Sequence, residues 1–127
     1  MMNRDSHIFI TGVTGLLGSY ILRGLLDSGY NNITALKRKT SDLKLISGME
    51  SRIKWLDSDI RNLDFWEDVS DVDLVIHCAA LVSFDPADND KMKSINVGGT
   101  KNMVNFALEK NIERFIYISS VAAIGRS

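Results

Sequence analysis

Glycines at positions 12, 15 and 18 fall in Thr11-Gly12-Val13-Thr14-Gly15-Leu16-Leu17-Gly18, a G-x-x-G-x-x-G spacing. The run before it, His7 to Val13, is short, β-branched and aromatic, and reads as a strand. The run after it, Leu16 to Ser28, carries Leu17, Ile21 and Leu25 at helical spacing, with Leu16 and Tyr20 as a second row. Gly29 follows as the helix cap. The Leu16, Leu17, Ile21 and Leu25 stripe reads as core. Each glycine between this strand and this helix has a physical task. The first allows a tight turn, the second lets the backbone approach a pyrophosphate without a clashing Cβ, and the third lets the helix pack close to the sheet. Phosphates at this turn would meet free N–H groups and the positive end of the helix dipole. Thr11, Gly12, Gly15, Leu16, Leu17 and Gly18 are therefore candidate cofactor-binding positions.

The alternation continues along the chain. Asn32–Arg38, Ile53–Leu56, Asp73–Ala79 and Arg114–Ser119 read as four further strands. Leu74-Val75-Ile76 is a continuous apolar run of the kind found in strands covered on both faces. Between them lie a short helix over Ser41–Ser47, a helical turn over Leu63–Val69 and a long helix over Asp88–Lys110. On the long helix Met92, Ile95, Gly99, Met103 and Phe106 share one stripe. Trp55 and Trp66 read as packing residues. Strand–helix–strand alternation implies an α/β fold with a parallel sheet and helices on both faces. With right-handed crossovers the expected architecture is the doubly wound Rossmann fold, five strands in the order 3-2-1-4-5.

Composition removes several other classes. The 127 residues are 45% hydrophobic and 24% charged, the balance of a globular domain able to bury a core. Fifteen basic and sixteen acidic residues leave a formal charge of −1, with no footprint for nucleic acid or an anionic membrane. No apolar run approaches the roughly 18 residues of a membrane helix, and the first residues do not form a signal-peptide core. Cys78 is the single cysteine, which excludes an internal disulfide and a cysteine-rich metal site. A reducing, cytoplasmic setting fits this usage.

The end of the second strand discriminates between two dinucleotides. NAD-preferring folds usually place Asp or Glu about 20 residues past the glycines, on the ribose 2′-hydroxyl. Here Lys37-Arg38-Lys39 stands instead. A carboxylate would repel a 2′-phosphate, whereas a guanidinium holds it through paired hydrogen bonds. The reading is NADP favoured over NAD, with Arg38 as the clamp and Lys37 assisting.

Five segments, in order, resemble the extended short-chain dehydrogenase/reductases, also described as NAD-dependent epimerase/dehydratases. Thr11–Gly18 resembles that family's T-G-x-x-G-x-x-G, and Asp59-Ile60-Arg61 its D-[ILV] element, whose carboxylate contacts the adenine ring. His77-Cys78-Ala79-Ala80 resembles the H-x-A-A turn that passes beside the cofactor. Asn96-Val97-Gly98-Gly99-Thr100 is similar to N-V-x-G-T, and Tyr117–Gly125 to the S-S-x-x-x-x-G stretch after strand five. The resemblance runs from His7 to Gly125. It implies that Asp59, Ile60, Cys78, Ala79, Ala80, Asn96 and Ser119 line the cofactor. It also implies that Ser120 is catalytic, polarising the substrate carbonyl or hydroxyl while hydride passes to or from the nicotinamide. Cys78 itself reads as a core thiol without redox chemistry, and His77 as a residue that shapes its turn.

The family's Tyr-x-x-x-Lys pair lies on a helix after strand five, and this chain ends at Ser127. Tyr20, Tyr30 and Tyr117 are followed four residues later by Gly24, Thr34 and Val121, so none forms the pair. The resemblance therefore implies the N-terminal, cofactor-binding part of a longer enzyme, with the C-terminal substrate domain absent and no turnover by this chain alone. Lys37-Arg38, Ala79–Phe84 and Ser120–Ala123 look closest to the dihydroflavonol-reductase-like branch. That branch implies an NAD(P)-dependent oxidoreductase acting on a small-molecule carbonyl or hydroxyl. A nucleotide-sugar epimerase or dehydratase is the alternative within the family, and a non-catalytic dinucleotide-binding regulator the alternative outside it. A homodimer is compatible with the family pattern.

Overall fold

A computed structural model describes residues 3–38, 42–58, 69–78, 90 and 97–118. Its elements are β1 (Ile8–Thr11), α1 (Leu16–Asp27), β2 (Ile33–Lys37), β3 (Lys54–Asp57), β4 (Leu74–His77), α2 (Gly99–Glu109) and β5 (Arg114–Tyr117). Short 3₁₀ turns at Lys44–Ile46 and Glu50–Arg52 connect β2 to β3. All strand pairings are parallel and the order is β3-β2-β1-β4-β5, the order expected from the alternation. Within Ser41–Ser47 the described helical residues are the 3₁₀ turn rather than an α-helix.

The sheet has a core on each face because strand side chains alternate. On one face Ile8, Ile10, Ile33, Ala35, Leu74 and Ile76 pack with Leu22 and Leu26 of α1 and with Ile46 and Met49. On the other, Phe9, Leu36 and Val75 pack with Met103 and Phe106 of α2. The Phe9 and Phe106 rings meet at 5.3 Å between centroids. Full burial of a side chain of this kind stabilises the fold by about 1.5–3 kcal/mol. Trp55 packs against the first core and donates its indole N–H to the Glu50 carbonyl at 3.0 Å, as a packing residue with a satisfied polar tip.

The stripe expected for α1 needs correction. The buried line is Gly18, Ser19, Leu22 and Leu26, not Leu16, Leu17, Ile21 and Leu25. Ile21 and Leu25 flank the core, while Leu16 is 65% and Leu17 45% exposed. The cause is Gly18. Its missing side chain lets the helix touch the Gly12–Val13 backbone, which turns the 18-22-26 row onto the sheet. Leu16 and Leu17 are left in the first turn of the helix, just past the strand.

Both helices end in the same device. Gly29 has φ 93°; its N–H donates to the Leu26 carbonyl, and that of Tyr30 to Leu25. Asn111, with φ 54°, and Ile112 repeat the pattern after α2, on Leu108 and Ala107. This left-handed terminus satisfies the last helical carbonyls. No helix among the described residues is long and apolar enough to cross a membrane.

Candidate functional site

The C-terminal ends of β1, β2 and β4 converge on the glycine turn, where open parallel sheets bind ligands. Gly12 has φ 80°, a conformation that a side chain disfavours, and its carbonyl accepts the Gly15 N–H at 3.1 Å. Gly15 then caps α1 with extended backbone and no side-chain cap, and no acidic residue occupies the first turn. A Cβ on Gly15 would make only an ordinary 3.5 Å contact with the Gly12 oxygen, with open space around it. The N–H groups that begin a helix have no partner within it. The turn thus presents donors of Leu16, Leu17 and Gly18, a positive dipole end and a gap that a side chain at position 15 would fill. That arrangement fits the pyrophosphate of a dinucleotide.

A buried polar chain braces the turn from behind. The Cys78 N–H donates to the Thr11 hydroxyl oxygen at 3.1 Å, and Thr11 Oγ1 lies 2.8 Å from His77 Nδ1. His77 Nε2 lies 3.0 Å from Thr100 Oγ1 on α2. His77 is 1% exposed, and burial lowers its pKa to about 4, so the ring is neutral. A neutral imidazole donates from one nitrogen only. One ring nitrogen donates to its threonine hydroxyl, and the other accepts from the hydroxyl on the opposite side. His77 is therefore a strut between the strand entering the glycine turn and the long helix, the turn-shaping role expected for it. The Cys78 thiol donates to the Thr11 carbonyl at 2.9 Å, and burial pushes its pKa up to about 11. It is an inert, half-buried thiol.

At the end of the neighbouring strand, Lys37 closes β2 and Arg38 follows, exposed. Lys37 Nζ pairs with Asp57 Oδ1 at 2.7 Å. The sequence reading missed Asp57, and it missed Thr100 as the partner of His77. The signal for the first was register: Lys37 and Asp57 end adjacent parallel strands as direct partners. Asp59, Ile60, Ala79, Ala80, Asn96, Ser119 and Ser120 lie outside the described residues, as do Lys39 and Trp66. The structure brings together Thr11, Gly12, Gly15, Leu16, Leu17, Gly18 and Cys78 around the turn. Lys37 and Arg38 stand at the end of the neighbouring strand.

The model of the NAD dependent epimerase/dehydratase family matches residues 8–127. The chain belongs to this family. A dihydroflavonol 4-reductase-like protein of Synechocystis sp. is 35% identical over 117 residues, covering 92% of this chain and 33% of that protein. An ADP-L-glycero-D-manno-heptose-6-epimerase of Fusobacterium nucleatum is 33% identical over 123 residues, covering 93% and 36%. Among solved structures, the Bordetella bronchiseptica enzyme WbmH in complex with NAD+ superposes with a TM-score of 0.77. It is 25% identical, with 97% of this chain and 42% of that one covered. The chain spans about a third of the length of the curated relatives it matches. The fold is the Rossmann fold of the family's reductases and epimerases.

Proposed function

We propose that the chain is the dinucleotide-binding part of an NAD(P)-dependent oxidoreductase, with NADP preferred over NAD. The observation that carries this reading is the uncapped start of α1 behind Gly12 and Gly15, with its open gap. The N–H groups of Leu16, Leu17 and Gly18 hold the pyrophosphate, and Arg38, with Lys37, holds the 2′-phosphate. In this reading Asp59 and Ile60 meet the adenine, and Ala79, Ala80, Asn96 and Ser119 lie along the cofactor. Ser120 then donates a hydrogen bond to the oxygen of a small-molecule carbonyl or hydroxyl substrate. The nicotinamide, when bound, supplies or takes the hydride.

The similarity to a heptose epimerase favours a second reading, in which the same cofactor site serves a nucleotide-sugar epimerase or dehydratase. Both readings place the protein in the cytoplasm, without nucleic-acid or membrane partners. A homodimer belongs to the reading too.

Titration calorimetry with NADP+ and NAD+ tests the preference. Arg38→Ala is expected to weaken NADP+ by about tenfold or more, as a bidentate charge-assisted contact is lost, and to leave NAD+ little changed. Equal losses for both dinucleotides would sink the clamp.

A further inference from the structure

Lys37 and Asp57 are the last residues of β2 and β3, and they are register partners in the parallel ladder. The ladder continues one step beyond them, where the Ser58 N–H donates to the Lys37 carbonyl at 2.8 Å. Partners in a ladder project to the same face of the sheet. Ile33 and Ala35, which precede Lys37 at alternate positions, pack in the core beneath α1, so Lys37 lies on the face that α1 and its glycine turn occupy. The side chain of Lys37 is only 15% exposed, and that of Asp57 is 44% exposed. The ammonium is thus folded down onto the carboxylate at 2.7 Å rather than extended into solvent.

A cation held this way presents a nearly neutral pair to its surroundings. A phosphate dianion approaching the end of β2 meets the ammonium together with a carboxylate that repels it. A ribose 2′-hydroxyl is uncharged and meets no such repulsion. The charge on Asp57 therefore acts far more strongly on the 2′-phosphorylated dinucleotide than on the other.

We propose that Asp57 is a specificity-determining residue of the dinucleotide site. By holding the Lys37 ammonium at the end of β3, it limits how strongly the site favours a 2′-phosphate over a 2′-hydroxyl. The inference rests on reading the site as a dinucleotide site. Removing the carboxylate while keeping its shape leaves a net positive charge at the ribose end.

The test is a set of binding titrations with NADP+ and NAD+ on wild type, Asp57→Asn, Asp57→Glu, Lys37→Met and the Asp57→Asn/Lys37→Met double variant. Circular dichroism confirms that each is folded. Asp57→Asn is expected to tighten NADP+ by about threefold to tenfold at low ionic strength, with the gain shrinking as salt rises. NAD+ affinity should change less than about twofold, since no charge on it faces the pair. Asp57→Glu keeps the charge and should keep the wild-type ratio. Lys37→Met leaves the Asp57 carboxylate unpaired and should weaken NADP+ by about threefold to tenfold, while the double variant, neutral like the wild-type pair, should return to near the wild-type NADP+ to NAD+ ratio.

An unchanged NADP+ to NAD+ ratio in Asp57→Asn, with both still bound, overturns the role of Asp57 and leaves the dinucleotide site standing. Weakening of both by Asp57→Asn also overturns it, since that is the mark of a merely structural pair. Binding of neither dinucleotide by wild type overturns the reading of the site, and this inference with it.

Discussion

Gly18→Ala separates the packing role of the glycine turn from its binding role. A Cβ on Gly18 would stand 2.5 Å from the Gly12 carbonyl carbon and 3.0 Å from Val13 Cα, with the Gly12 oxygen nearer still. Carbon atoms in contact prefer about 3.5–4.0 Å, so the helix or the turn must retreat by about 1 Å. All three obstructing atoms are backbone, and no rotamer change relieves them. Overpacking a tight core costs about 1–3 kcal/mol, and rigid neighbours place this case at the upper end, about 3 kcal/mol. For a domain of this size that is a fall in melting temperature of about 10 °C. Two controls bracket the effect. Gly15→Ala meets only an ordinary contact, with φ −86° that alanine accepts. It should cost at most about 1 kcal/mol as a poorer N-cap, yet weaken dinucleotide binding by filling the gap. Gly24→Ala, exposed in mid-helix with nothing within 4 Å, should stabilise the chain by about 0.5–1 kcal/mol. Urea melts followed by circular dichroism read all three. A Gly18→Ala melt that superposes on wild type would refute the reasoning.

Other consequences follow from the buried network. His77 has a folded pKa of about 4 against an unfolded 6.5, so the unfolded chain binds the extra proton between those values. Its contribution is fully present above pH 6.5 and is lost as pH falls toward 4, by about 3 kcal/mol in total. His77→Gln should flatten the pH dependence of stability in that window, and parallel curves for the two proteins would count against the neutral strut. The Cys78 thiol, pushed up to about 11, should alkylate about 100-fold more slowly at pH 8 than an unperturbed thiol. Iodoacetamide kinetics in native buffer and in urea check this; equal rates in the two would contradict it.

The parts legible in the sequence were those written in short stretches of chain. The glycine spacing, the apolar runs Ile8-Phe9-Ile10 and Leu74-Val75-Ile76, and the cap at Gly29 each depend on neighbouring residues, and strand order followed from their alternation. The rotation of α1 was not legible. Leucine-rich segments offer two helical stripes, and only the contact of Gly18 with the Gly12 carbonyl chooses between them. The Lys37–Asp57 pair and the Thr11–His77–Thr100 chain join segments far apart in sequence, so they depend on strand register and helix placement. A charged run such as Lys37-Arg38-Lys39 reads as three cations in sequence. In the fold, Lys37 has the Asp57 carboxylate beside it.

The central claim is that the start of α1 receives a dinucleotide pyrophosphate, and amide chemical shifts of the isotope-labelled chain during titration with NADP+ test it most directly. The account predicts saturable shifts, largest at the N–H groups of Gly15, Leu16, Leu17 and Gly18, with a second set at Arg38. Saturable binding whose shifts leave the glycine turn untouched, or no shifts at all, would contradict it.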